Sequence, residues 1–334
     1  MRPDRVHGIG MKLSIGIGRY DRTQALIDGR IGVAGVEATF ESPPLEELFA
    51  KAFDTDAYDL AELSFSNFLY LSSTGNCRYV ALPVFPSRMF RHSAFFVRTD
   101  RGIRSPRDLV GKVVGVREFS MTAALVARGV LEDEYGVRAA DIDWRCGPAD
   151  AADAKPVIRM QPRGVRMAVI PDGRNLSDML AAGEIDAMVA YKPPKCFLAG
   201  APNVARLFPD HVRVEQDYYA RTGIFPIMHL VGIRRELADD AVLCRALCDA
   251  FEAAKREAID AIAAYQALGV ALPWAPASVR DVRALMGEDY WPYGVRRNAA
   301  AVEALARYSY AQGLAARHMR IEELFAAGAL DWQP

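Results

Sequence analysis

Two apolar, strand-like runs, at residues 92–98 and 224–233, stand outside an otherwise regular alternation of short strand and helix patterns, and they constrain the fold more than any other feature. The alternation predicts an α/β chain with largely parallel sheets. It reads as strands at 13–18, 36–40, 58–63 and 79–85, with helices at 23–28 and 44–53 and a further helix opening at Ser64. After the first run the pattern restarts. Ser105 caps a turn that has Pro106 at its first helical position. Strands at 112–116, 142–145, 167–170 and 185–190 then alternate with helices at 121–135 and 176–182. Beyond Ala238 the chain is mainly helical. Two crossing segments around an inserted α/β set describe a two-lobed clamp. Its first lobe is discontinuous, 11–93 plus 225–334 with a helical C-terminal tail, and its second is 94–224. A ligand cleft is expected between the lobes, where strand ends and helix N-termini meet.

The second crossing, read as strand-like from Arg221 to Ile233, sets Arg221, Thr222 and His229 into a stretch apolar enough to be covered on both faces. Pro226 has no N–H for a ladder, which predicts an irregular segment. His229 is either a satisfied core histidine or a proton donor facing the cleft. His92 stands in the other crossing, and two histidines at one hinge exceed what core packing needs. Cations recur at the predicted cleft edges: Arg19, Arg88, Arg91, Arg117 and Lys192. Guanidinium forks bind carboxylates bidentately, so a substrate with more than one carboxylate would suit them. Glu118 and Ser120 lie where a strand turns into helix 121–135, whose N-terminus favours an anion.

Composition excludes several alternatives. Among 334 residues, 41 Lys and Arg face 42 Asp and Glu, a net charge of −1, so neither nucleic acid nor an anionic membrane is an expected partner. Five cysteines without metal or redox spacing predict free thiols in a reducing compartment. The first thirteen residues lack a secretory apolar stretch, and no run reaches bilayer length, so a cytoplasmic location is expected. No HxH, HxxxH or carboxylate cluster marks a metal site. Gly16-Ile17-Gly18 lacks the third glycine of a dinucleotide fingerprint, and no phosphate loop or Gly-x-Ser-x-Gly elbow is present.

Four stretches together resemble the 4,5-dihydroxyphthalate decarboxylase family: Glu118-Phe119-Ser120-Met121-Thr122-Ala123-Ala124-Leu125, 219–229 with its Arg221-Thr222-Gly223-Ile224-Phe225-Pro226, Tyr290-Trp291-Pro292-Tyr293-Gly294-Val295, and Tyr308-Ser309-Tyr310-Ala311-Gln312-Gly313-Leu314. The resemblance covers about 12–325. It implies a type II periplasmic-binding-protein-like fold and loss of CO2 from a hydroxylated aromatic dicarboxylate, within phthalate degradation, without an organic cofactor. Protonating the ring carbon that bears the departing carboxylate gives a dearomatised intermediate stabilised by a para oxygen, and CO2 leaves as aromaticity returns. On this reading His229 or His92 is the acid and Glu118 accepts a phenolic proton. Arg19, Arg88 or Arg91 holds the retained carboxylate, and Ser64, Arg117, Ser120, Lys192 and Thr222 complete the substrate-binding set. Lys192 stands before Pro193-Pro194 where the family pattern implies arginine, which keeps the charge and loses the fork. A non-catalytic receptor or sensor for a small carboxylate is the alternative that the same fold would serve. The tail, 299–330, is expected to pack on the first lobe, and any exposed remainder to pair subunits in a homo-oligomer.

Overall fold

The computed structural model describes residues 10–55, 57–150, 160–264, 268 and 270–334. The segment on which the secretion expectation rests therefore lies, up to Ile9, outside the described residues. Strands β1 (Met11–Gly16), β2 (Val36–Glu41), β3 (Leu60–Ser64) and β4 (Tyr79–Arg88) begin a first sheet. The chain then crosses into a second, formed by β5 (Phe95–Arg98), β6 (Val113–Val116), β7 (Asp143–Cys146), β8 (Arg166–Val169), β9 (Ala187–Val189) and β10 (Val204–Arg206), and returns as β11 (Ile227–Arg234). The orders are β2-β1-β3-β11-β4 and β10-β5-β9-β6-β7-β8. The pairs β1·β2, β1·β3, β6·β7, β6·β9 and β7·β8 are parallel, whereas β11 and β5 run antiparallel to their neighbours.

Helices α1 (Asp21–Ile27), α2 (Leu45–Asp54) and α3 (Phe65–Ser73) accompany the first strands, and α4 (Thr122–Tyr135), α5 (Leu176–Ala182), α6 (Lys195–Leu198) and α7 (His211–Thr222) the second sheet. After β11 come α8 (Ala241–Ala263), α9 (Ala275–Met286), α10 (Ala299–Ala311) and α11 (Ile321–Leu324). Burial follows strand position. The edge strand β2 alternates between half-buried and exposed, whereas all five residues of β3 are buried, including Glu62 and Ser64. One apolar core runs through both sheets, and a smaller one gathers around Phe96, Leu180 and Met188.

Three expectations change. Arg221 and Thr222 belong to the last turn of α7, not to a strand; Gly223, at φ +64°, ends that helix in the left-handed conformation glycine favours. The first crossing opens as a 3-10 turn, His92–Ala94, before β5 begins. The tail does not pack on the first lobe alone, because α10 lies against both α3 and α4. Arg128 donates to Gln312 (2.7 Å), Gln312 donates to the Leu125 carbonyl (3.1 Å), and Arg307 pairs with Asp133 (2.7 Å). Gly129 admits this contact, since a Cβ there would sit 2.4 Å from the Tyr308 ring. No helix among the described residues is long and apolar enough to cross a membrane.

Candidate active site

Strand pairing builds the centre of the site. In β3 a period of two puts Glu62 and Ser64 on one face. The antiparallel register sets His229 opposite Ser64 and diagonal to Glu62. On its other side His229 faces Ser87 of β4, with register shifts before and after it, a bulge that re-aims the side chain. Pro226 sits just ahead of the strand, where its missing N–H costs no ladder bond, and its carbonyl accepts from the Met89 N–H (3.0 Å).

The Glu62 carboxylate is fully buried and accepts three bonds: from His229 Nδ1 (2.6 Å), the Gly18 N–H (2.8 Å) and the Tyr20 hydroxyl (2.7 Å). Burial alone would raise its pKa, but the hydrogen bond and charge of His229, with the bonds from Gly18 and Tyr20, outweigh it and hold the carboxyl below its ordinary range. The same burial, with Glu62 beside it, pushes the Tyr20 phenol well up. Gly18 is needed for this approach, because a Cβ would lie 2.9 Å from Glu62 Oε2 and 2.8 Å from the Tyr20 ring. An ionised Glu62 only accepts, so Nδ1 carries a proton and Nε2 is the ring nitrogen left for chemistry. Phe49 meets the imidazole edge-on, 4.9 Å between centroids.

His229 opens onto a cleft of about 260 Å³. That is smaller than the roughly 300–1,000 Å³ of drug-sized ligand sites, and suits a single ring. Leu45, Phe49, Ser64, Ser87, Arg91 and Met228 line it from the elements of the first sheet; Arg117, Glu118, Met121, Thr122 and Tyr191 line it from those of the second. Arg91 is the electrostatic centre. Its guanidinium is buried, and its hydrogen-bond partner among the described residues is the Met228 sulphur, at 2.9 and 3.2 Å. Burial lowers its pKa to about 10, which leaves it cationic at neutral pH. A thioether is a poor counterpart for a buried cation, so an anionic ligand would be well received here. Arg117 pairs with Glu46 of α2 (2.9 Å) across the cleft wall. Glu118, buried, accepts from Ser120 (2.6 Å), and Ser64 and Thr122 share a hydroxyl contact of 3.0 Å.

Of the residues singled out in the sequence, the structure thus brings Ser64, Arg91, Arg117, Glu118 and His229 together, with Ser120 behind Glu118. The others stand outside the cleft lining. His92 is buried among the Phe208 and Tyr218 rings (5.4 and 5.3 Å), and neither of its nitrogens has a hydrogen-bond partner among the described residues. Burial first, then Arg221 and His211, depress its pKa to about 4, so it is neutral where a donor would need its proton. Arg88 donates to the Phe225 (2.9 Å) and Pro292 (2.6 Å) carbonyls and to Asn298, which ties both crossings to the 292–298 turn. Thr222 donates to the Tyr218 carbonyl, within its helix. Arg19 is exposed, and so is Lys192, which lies over the Tyr191 ring. Sequence reasoning missed Glu62, although a lone carboxylate in the apolar strand Leu60–Ser64 was a readable signal. No cluster of three or more His, Cys, Asp or Glu side chains among the described residues is placed to hold a metal ion.

No family model matches the chain. It is 42% identical over 323 residues to a 4,5-dihydroxyphthalate decarboxylase of Comamonas testosteroni, covering 96% of this chain and 98% of that one. A 4,5-dihydroxyphthalate decarboxylase of Pseudomonas putida is 39% identical over 210 residues, 63% and 81% of the two chains. Among solved structures, the periplasmic aliphatic sulphonate-binding protein SsuA of Escherichia coli matches with a TM-score of 0.53 and 15% identity, over 96% of this chain and 99% of its own, a likeness of fold.

Proposed function

The chain belongs to the 4,5-dihydroxyphthalate decarboxylase family, and from that premise we propose that His229 supplies the proton that replaces CO2 when 4,5-dihydroxyphthalate becomes protocatechuate. Arg91 takes the retained carboxylate. The hydroxyl para to the departing carboxylate passes its proton toward Glu118, which feeds electron density into the ring. His229 Nε2 then delivers its proton to the ring carbon that bears the departing carboxylate. That carbon–carbon bond breaks, its electron pair restores the aromatic ring, and CO2 departs. As the ring recovers, the phenolic oxygen takes its proton back from Glu118, and the one proton that the reaction consumes returns to His229 from solvent. A positioned acid of this kind contributes about 10²–10⁴-fold, and exclusion of water protects the dearomatised intermediate.

The observation that carries this reading is one cleft holding both a glutamate-backed imidazole and a buried guanidinium bonded to no carboxylate. Strand membership supports lobes of 11–93 with 225–334, and of 94–224. Five buried cysteines, all free, support a reducing, cytoplasmic setting. The test is CO2 release, with ultraviolet detection of product, from 4,5-dihydroxyphthalate and from phthalate, which lacks the para hydroxyl. Turnover of the first and mere binding of the second is expected. Binding of every hydroxyphthalate without turnover would overturn the reading.

A further inference from the structure

The geometry points to Glu62 as the positioning residue of the decarboxylation, one that fixes the His229 imidazole and balances its charge while touching no substrate. The inference rests on His229 being the acid. Glu62 has no exposure and faces the cleft only through His229. Its two remaining bonds, from Gly18 and Tyr20, anchor it from behind, so that the imidazole cannot rotate without leaving a buried carboxylate short of a donor. Held this way, Nδ1–H stays on Glu62 and the transferable proton resides on Nε2.

The anchor itself is buttressed. The Arg22 guanidinium lies 4.3 Å from the Tyr20 ring and 4.3 Å from the Trp291 ring, and its Nε donates to the Pro86 carbonyl (2.5 Å). Trp291 is pinned in turn by its indole N–H on the Phe85 carbonyl (3.0 Å). This gives the Tyr290-Trp291-Pro292-Tyr293 stretch a role: through Arg22 and Tyr20 it sets the position of Glu62, and Glu62 sets that of His229. The charged and titratable groups around the imidazole are Glu62 and Tyr20 behind it and, along the cleft it opens onto, Glu46 on α2, Arg91 after β4, Arg117, Glu118 and Tyr191. Among the described residues, Glu62 alone of these bonds the ring.

The test compares Glu62→Gln, Glu62→Asp, Tyr20→Phe, His229→Gln and the double variant Glu62→Gln/His229→Gln in full-length protein, with each fold checked by circular dichroism. Glu62→Gln is expected to lower kcat about 10²-fold with substrate Kd changed less than threefold. Glu62→Asp should recover part of the rate. Tyr20→Phe, which removes one donor and keeps the packing, should cost about 2–10-fold in kcat. The double variant should be no slower than His229→Gln alone, since the pair acts as a unit. Multiplying losses in the double variant, or full kcat in a folded Glu62→Gln, would overturn the positioning role even with a much slower His229→Gln. An active His229→Gln would overturn the acid reading, and the inference with it.

Discussion

The two segments that carry the chain between its sheets each hold one histidine, the first also holds the buried Arg88 and Arg91, and the polar groups of the two are used differently. In the first, His92 is enclosed by aromatic rings with no partner for either nitrogen among the described residues, and Arg88 turns its terminal nitrogens to two backbone carbonyls and Asn298. In the second, His229 has a buried carboxylate behind it and a cleft before it, and Met228 of the same strand lends only a sulphur to Arg91. Burial is therefore not what separates structural from chemical polar groups here, since Glu62, Arg88, Arg91 and His92 are all buried. The difference lies in what remains unsatisfied and where it faces. Arg88 turns its two terminal nitrogens to partners within the fold, His92 faces apolar rings, and Arg91 and His229 each keep a capacity turned to the cleft.

This contrast can be broken most sharply at His92. Its folded pKa of about 4 lies below the ordinary 6.5. As pH falls through 6.5 the unfolded chain takes the proton first, so the stability tied to neutral His92 is complete above that value and drains away toward pH 4. The loss amounts to about 3 kcal/mol. Chemical denaturation of wild type and His92→Phe across that window should show wild type losing stability relative to the variant as pH drops, with activity at neutral pH unchanged. The arginines come next. Arg91→Met should weaken substrate binding by about 1.5–3 kcal/mol in calorimetry, whereas Arg88→Met should lower the melting temperature and leave the Kd of the folded protein alone. The smallest effect is at Met228. Met228→Leu removes the resident partner of Arg91, so the ligand-free protein should lose about 1 kcal/mol, and saturating substrate should restore it.

The alternation of strands and helices was legible because side-chain periodicity is local, and the two crossing runs extended it to the clamp, with which the resemblance to the decarboxylases agrees. The error at Arg221 and Thr222 arose where one glycine separates a polar helix from an apolar run that leads into β11; the hydropathy of 224–233 extends the strand pattern backwards past Gly223. The site was harder. Arg91 and His229 could be named as residue types near a hinge, but not told apart from Arg88 and His92, which share the same sequence surroundings. Glu62 and His229 lie 167 positions apart, and only the antiparallel β3·β11 register puts them on one face. The tail was misplaced for a related reason: Gly129 and Tyr308 fit each other only once α4 and α10 are packed.

The central claim is that His229 delivers the proton from a cleft in which Arg91 holds the substrate. Its most direct test is single-turnover CO2 release from 4,5-dihydroxyphthalate by His229→Gln, with binding of the same substrate measured by calorimetry. The account predicts a Kd within a few-fold of wild type and a rate lower by about 10²–10⁴-fold. Release at close to the wild-type rate, with substrate bound, would contradict it.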